Sequence, residues 1–161
     1  MKLVPRFLSV LLLLLLVCAS AFADTMYVFC RPKDYVRVRE SPTTSTEVVG
    51  YLDCGDPVET TGEMRKDKQG RKWLRIAGLE NGGWVCAMYL SDSPVTITDG
   101  YAGYVVSNGR TALRRSPNGK RIKWLNNGAE FRVYAMTDEW VLCKGGYIKR
   151  ECVEVYYGTV E

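Results

Sequence analysis

Four short blocks of sequence recur in the same order in the two halves of this chain, and that duplication restricts the fold more than any other feature. Val38-Arg39-Glu40-Ser41-Pro42 returns as Leu113-Arg114-Arg115-Ser116-Pro117, and Tyr51-Leu52-Asp53-Cys54-Gly55-Asp56 as Trp124-Leu125-Asn126-Asn127-Gly128-Ala129. Trp73-Leu74-Arg75-Ile76 corresponds to Trp140-Val141-Leu142-Cys143, and Gly83-Trp84-Val85 to Gly146-Tyr147-Ile148. Chance supplies one such match, not four in order, so a unit of roughly 60 residues is present twice. The first copy is longer between its second and third blocks. The break between copies is placed near Ser93, in a polar, turn-rich stretch whose short apolar alternation, Val95 and Ile97, reads either as linker or as the first strand of the second copy.

Each unit reads as β-structure. Tyr35-Val36-Arg37-Val38-Arg39 alternates apolar with polar residues, the period of a half-buried strand. Val48 to Leu52, Pro57 to Thr61, Lys72 to Ile76 and Gly83 to Cys86 are further β-prone runs, separated by turn signals such as Ser41-Pro42, Cys54-Gly55-Asp56-Pro57, Lys68-Gln69-Gly70 and Asn81-Gly82-Gly83. The second copy is punctuated alike, by Ser116-Pro117-Asn118-Gly119, Asn126-Asn127-Gly128 and Lys144-Gly145-Gly146. No segment carries a helical apolar period of useful length. Short strands and tight turns in so small a unit predict a closed barrel, so the expected fold is all-β. Its predicted core is Leu52, Val58, Leu74, Ile76, Val85 and Leu90 in one copy, and Leu113, Leu125, Phe131, Val133, Val141, Ile148 and Val153 in the other. Gly55 and Gly128 fall where a turn needs a left-handed residue or a close backbone approach.

Ahead of the repeats lies a leader. Lys2 and Arg6 precede Phe7 and the leucine run Leu11 to Leu16, and Ala21-Phe22-Ala23 stands before Asp24. A positive start, an apolar middle and a small-x-small end describe a secretory signal peptide cleaved after Ala23. The alternative, an uncleaved anchor, is disfavoured because the apolar stretch has 17 residues, below the roughly 20 that span a bilayer. The residue before Cys18 is Val17, which does not suit lipidation. The expected organisation is therefore 1–23 signal peptide, 24–93 first domain and 94–161 second, more divergent domain, with no membrane span after cleavage and an extracellular or periplasmic location. With the two leader cations removed from 22 basic and 18 acidic residues, the net charge is near +2, and no basic run points to nucleic acid.

The blocks are ones seen elsewhere. The chain resembles the bacterial SH3 (SH3b) domain family, whose strand ending V-R-x-x-P, turn G-x-L-x-x-G-D, then W-x-x-V, G-W-V and a terminal Y-L are matched here. The matching residues are Val38 to Pro42, Gly50 to Asp56, Trp73 to Ile76, Gly83 to Val85 and Tyr89-Leu90. The second copy keeps Arg114, Pro117, Leu125, Gly128 and Trp140, with Tyr147 in place of the family's Trp and Cys152-Val153 in place of Tyr-Leu. The resemblance implies two tandem SH3-like β-barrels, each near the lower size limit for a self-supporting core. It also implies a ligand groove lined by aromatics, with Tyr51, Trp73, Trp84 and Tyr89 as candidates in the first copy and Trp124, Tyr134, Trp140 and Tyr147 in the second. Rings with a polar edge suit peptide backbones and sugar faces; the competing reading is that the tryptophans simply close the barrels.

Five cysteines follow the leader, an odd number in an exported chain. Cys143 takes the place of Ile76 and Cys152 that of Tyr89, both peculiar to the second copy, which favours a Cys143–Cys152 disulfide. An SH3-like barrel brings its first and last strands together, which favours Cys30–Cys86 and leaves Cys54 over. The alternative is that several are small buried hydrophobes. With no histidine and no C-x-x-C spacing, neither a zinc site nor a redox motif is supported and no cofactor is expected. The same lack of histidine, and the lack of length for a catalytic domain, argue against an enzyme. Charge runs such as Arg65-Lys66-Asp67-Lys68 read as solvated loop. Two functions are expected: recognition of cell-wall peptidoglycan or its peptides, which the resemblance to the bacterial SH3 family implies, and an envelope or secreted scaffold whose barrels bind another protein.

Overall fold

A computed structural model describes residues 24–79 and 82–158; the expected signal peptide, 1–23, lies outside them. The first half forms β1 (Thr25–Val28), β2 (Tyr35–Arg39), β3 (Val48–Asp53), β4 (Pro57–Lys66), β5 (Lys72–Ile76), β6 (Gly83–Cys86) and β7 (Leu90–Ser91). The second forms β8 (Thr96–Val105), β9 (Arg110–Arg114), β10 (Arg121–Asn126), β11 (Glu130–Met136), β12 (Trp140–Cys143), β13 (Gly146–Lys149) and β14 (Val153–Tyr157). The described residues contain no α-helix, only single 3-10 turns at Ala87–Tyr89 and Arg150–Cys152. The stretch around Ile97 belongs to strand β8 rather than to a linker.

The strands make two sheets, ordered β3-β2-β6-β5-β4-β1-β7 and β10-β9-β13-β12-β11-β8-β14. Position by position, the second order repeats the first. The turns repeat as well: Gly55 N–H donates to the Val28 carbonyl at 2.8 Å, and Gly128 N–H to the Val105 carbonyl at 2.8 Å. Both glycines have positive φ, 93° and 77°, so the turn geometry predicted from sequence is the one observed. Arg39 and Arg114, the paired arginines of the first block, each brace a loop by donating to a backbone carbonyl, that of Thr46 at 2.6 Å and of Gly119 at 3.0 Å.

Alternation along each strand decides which core a residue joins. In β2, Val36 and Val38 turn inward; in β6, Val85 does. They pack with Val28, Val58, Ile76 and Leu90, drawn from both ends of the first sheet, which shows the sheet rolled around its own core. The second sheet encloses Val105, Leu113, Val133, Val141, Ile148 and Val153. The predicted core residues are all found in these clusters, with Leu52, Leu74, Leu125 and Phe131 at their margins.

In β12 the alternation serves two cores. Val141 and Cys143 face the second unit's interior, whereas Trp140 and Leu142 pack into the first unit's cluster, joined there by Ala135 and Tyr147. All four residues of β12 are buried for that reason. Phe29 and Tyr147 meet edge to face, ring centroids 5.1 Å apart, and the Tyr147 hydroxyl donates to the Phe29 carbonyl at 3.1 Å. The first unit's core is thus enlarged by residues of the second, which keeps a core of its own, and this sharing eases the size problem that each unit would face alone.

Candidate functional site

Where the two units meet, a cleft of about 670 Å³ remains open. The first unit contributes the outward face of β2. Because Val36 and Val38 point inward, Tyr35, Arg37 and Arg39 must point the other way, and all three line the cleft. Behind them stand Arg71, Trp73, Met88 and Tyr89. The second unit supplies Arg115 from the loop after β9, Leu142 from β12, and Gly145, Gly146 and Tyr147 around the start of β13. Arg31 and Asp34 complete the charged lining, which holds five arginines and one carboxylate.

The local structure that aims Arg71 and Trp73 is a hairpin clasp centred on Asp67. One carboxylate oxygen accepts from the backbone N–H groups of Gln69 and Arg71, each at 2.9 Å. The other accepts from Arg71 Nε at 2.6 Å and from the Trp73 indole Nε1 at 3.1 Å. The Asp67 side chain is only 2% exposed, so its reading as solvated surface is corrected: Arg65, Lys66 and Lys68 are exposed, but the aspartate between them is a buried acceptor. Burial by itself would raise its pKa; the donors from Trp73, Arg71 and Gln69 outweigh that and hold it near about 2. The signal available in the sequence was the turn Asp67-Lys68-Gln69-Gly70, where an aspartate accepts from backbone two residues on.

A pH dependence follows. The folded carboxyl is depressed below its unfolded value of about 3.9, so the clasp contributes stability above about pH 4 that is lost as pH falls towards 2. Asp67→Ala is expected to melt well below wild type at pH 7, with the gap narrowing in melts at pH 4 and closing near pH 2. A gap of constant size would show that the carboxylate's charge does not matter.

The eight aromatics singled out from sequence separate into groups. Trp73, Tyr89 and Tyr147 line the cleft, Trp73 and Tyr147 as buried walls and Tyr89 with 37% of its surface exposed. Trp84 is buried beside Trp73 and Cys86 on the outer face of the first sheet, with Arg65 stacked on its ring. Trp140 is buried between the units under Lys149. Tyr134 lies under Arg31. Tyr51, 62% exposed, sits on edge strand β3 with its ring against Tyr35 at 4.8 Å. Trp124 stands apart on edge strand β10, between Arg110 and Arg121 at 4.5 and 4.4 Å from its ring centroid. Tyr35, Arg37, Arg71 and Arg115 were absent from the sequence list, because a polar residue on a strand's outer face looks the same whether it meets solvent or a cleft.

All five cysteines among the described residues are free, so neither Cys143–Cys152 nor Cys30–Cys86 is formed. Cys30 instead contacts Cys54, whose Sγ donates to the Cys30 carbonyl at 2.8 Å. The hydrogen bond between the two thiols pushes the Cys30 pKa up and draws that of Cys54 down. Cys86 packs with Trp73 and Trp84, and burial raises its thiol. Cys143 lies in the second core, where burial pushes its pKa to about 11; Cys152 packs at that core's edge. Those two serve as small apolar side chains.

Comparison with known proteins bears on the first half directly. Residues 34–91, which carry β2 to β7 and most of the cleft's arginines, match the bacterial SH3 domain family. Among solved structures the chain is similar to "Endolysin LysPBC5 CBD", at 11% identity and TM-score 0.33, over 84% of this chain and 95% of that one. It is also similar to NlpC2 from Trichomonas vaginalis, at 13% identity and TM-score 0.33, over 89% of this chain and 52% of that one. No curated protein sequence matches the chain.

Proposed function

We propose that the protein is an exported, non-catalytic binding protein built of two tandem SH3-like modules, 24–93 and 94–161, which hold cell-wall peptidoglycan or its peptides in the cleft between them. The bacterial SH3 match at residues 34–91 supports the first module, and the repeated strand order supports the second. The observation that carries the reading is the cleft itself. It has the volume of a small-ligand site, and it offers aromatic edges beside fixed hydrogen-bond donors. A chain without histidine lacks the side chain most often used as a general base, which favours binding over turnover.

The test is co-sedimentation of the purified protein with peptidoglycan. Trp73 is a poor probe because it is buried and its loss would disturb the fold. Tyr35 and Tyr89 are exposed at the cleft, so Tyr35→Ala and Tyr89→Ala are expected to fold and to weaken retention by about ten-fold each. Wild-type protein that stays in the supernatant at low salt would overturn the proposal.

A second reading, a protein-interaction module, has its own observation. Strand β10 is the last in its sheet and exposes Arg121, Ile122, Lys123 and Trp124 beside an unpaired strand edge. Such an edge accepts an added strand. If that reading holds, Trp124→Ala abolishes capture of a partner polypeptide while wall binding is absent from the start.

A further inference from the structure

Resting on the cleft as the binding site, we infer that it selects the peptide stem of the wall by its carboxylates, and that Arg37 and Arg115, one from each unit, take hold of them. Positive charge is concentrated there. Residues 24–161 carry a net charge near +2 over their whole surface, whereas the cleft lining alone holds five arginines against Asp34. Three of the five are already committed. Arg39 donates to the Thr46 carbonyl, Arg71 is paired with Asp67, and Arg31 is stacked on Tyr134. These fix positive charge in the walls without being free to reach a ligand.

Arg37 and Arg115 differ from them. Both are exposed, and neither has an acidic side chain within ion-pair distance among the described residues. Arg37 is the middle member of the Tyr35–Arg37–Arg39 row, where successive members lie about 7 Å apart along the strand. Arg115 occupies the position that Glu40 holds in the first copy, so the second unit's loop presents the opposite charge to that of its counterpart. A guanidinium offers paired donors that fit a carboxylate in two parallel hydrogen bonds, a geometry the neutral hydroxyls of a glycan do not match. The tyrosine at position 35 lies next in the row, where it can cover the peptide backbone.

The experiment is titration calorimetry of the purified protein with the wall's peptide stem, prepared both as the free acid and with its carboxylates converted to carboxamides. The carboxamide is expected to bind about ten-fold more weakly than the acid. Arg37→Gln and Arg115→Gln are each expected to weaken binding of the acid by about five-fold to ten-fold and to leave the carboxamide unchanged. Arg75→Gln, on strand β5 where the arginine pairs with Glu63 and lies outside the cleft lining, is expected to bind as wild type. Equal binding of acid and carboxamide overturns the carboxylate inference and leaves the cleft as a peptide site. Displacement of the acid by inorganic phosphate at matching concentration also overturns it, since the cleft would then be a general anion site. Failure of both peptides to bind overturns the underlying assignment of the cleft itself.

Discussion

Replacing Phe29 by alanine is expected to destabilise the protein by about 3–5 kcal/mol, the range for removing a fully buried aromatic ring. Phe29 is essentially inaccessible and belongs to the cluster to which both units contribute. Its ring meets Tyr147 edge to face, and its backbone accepts the Tyr147 hydroxyl. The substitution therefore opens a cavity at the junction instead of within one unit. Tyr147→Phe separates the parts: it keeps the ring contact, removes one buried hydrogen bond and is expected to cost about 1 kcal/mol. Urea denaturation of the two variants measures both. A loss under about 1 kcal/mol for Phe29→Ala would mean that the units hardly depend on their contact.

The second large effect is at Gly146. A side-chain carbon added there would overlap the backbone carbonyl oxygen of Arg114, on the neighbouring strand β9. That contact cannot be relieved by rotating a side chain, because the obstacle is main chain. Strand β13 joins β9 through the pairing of Tyr147 with Arg114, so the strand must shift where it enters the sheet. Gly146→Ala is expected to cost about 3 kcal/mol, the upper part of the range for overpacking. Since Gly146 and Tyr147 both line the cleft, ligand retention should fall with stability. By contrast, Gly128→Ala meets no neighbour within 4 Å and carries only the strain of its positive φ. It is expected to cost less, and thermal melts of the pair test the order.

The alternation of Val36 and Val38 with arginines, the glycines at 55 and 128, and the recurrence of four blocks were enough to specify an all-β duplicated chain and its inward-facing residues. Those features are local: a strand's period and a turn's φ are set by the residues that form them. The cleft was only half legible. Tyr89, Trp73 and Tyr147 could be named as aromatic candidates, but the arginines could not, and Asp67 read as surface although it holds Arg71 and Trp73 by side-chain hydrogen bonds within the hairpin.

What the sequence by itself determined was which face of each strand turns inward. What lies against the other face was decided only by tertiary structure. Trp140, Leu142 and Tyr147 close against the first unit, Trp84 covers the outside of its own sheet, and Trp124 remains open on an edge strand. Cys30 meets Cys54 and not Cys86 for the same reason. A period of two distinguishes inside from outside, yet it carries no information about how two units are placed, and that placement makes both the shared core and the arginine-lined cleft.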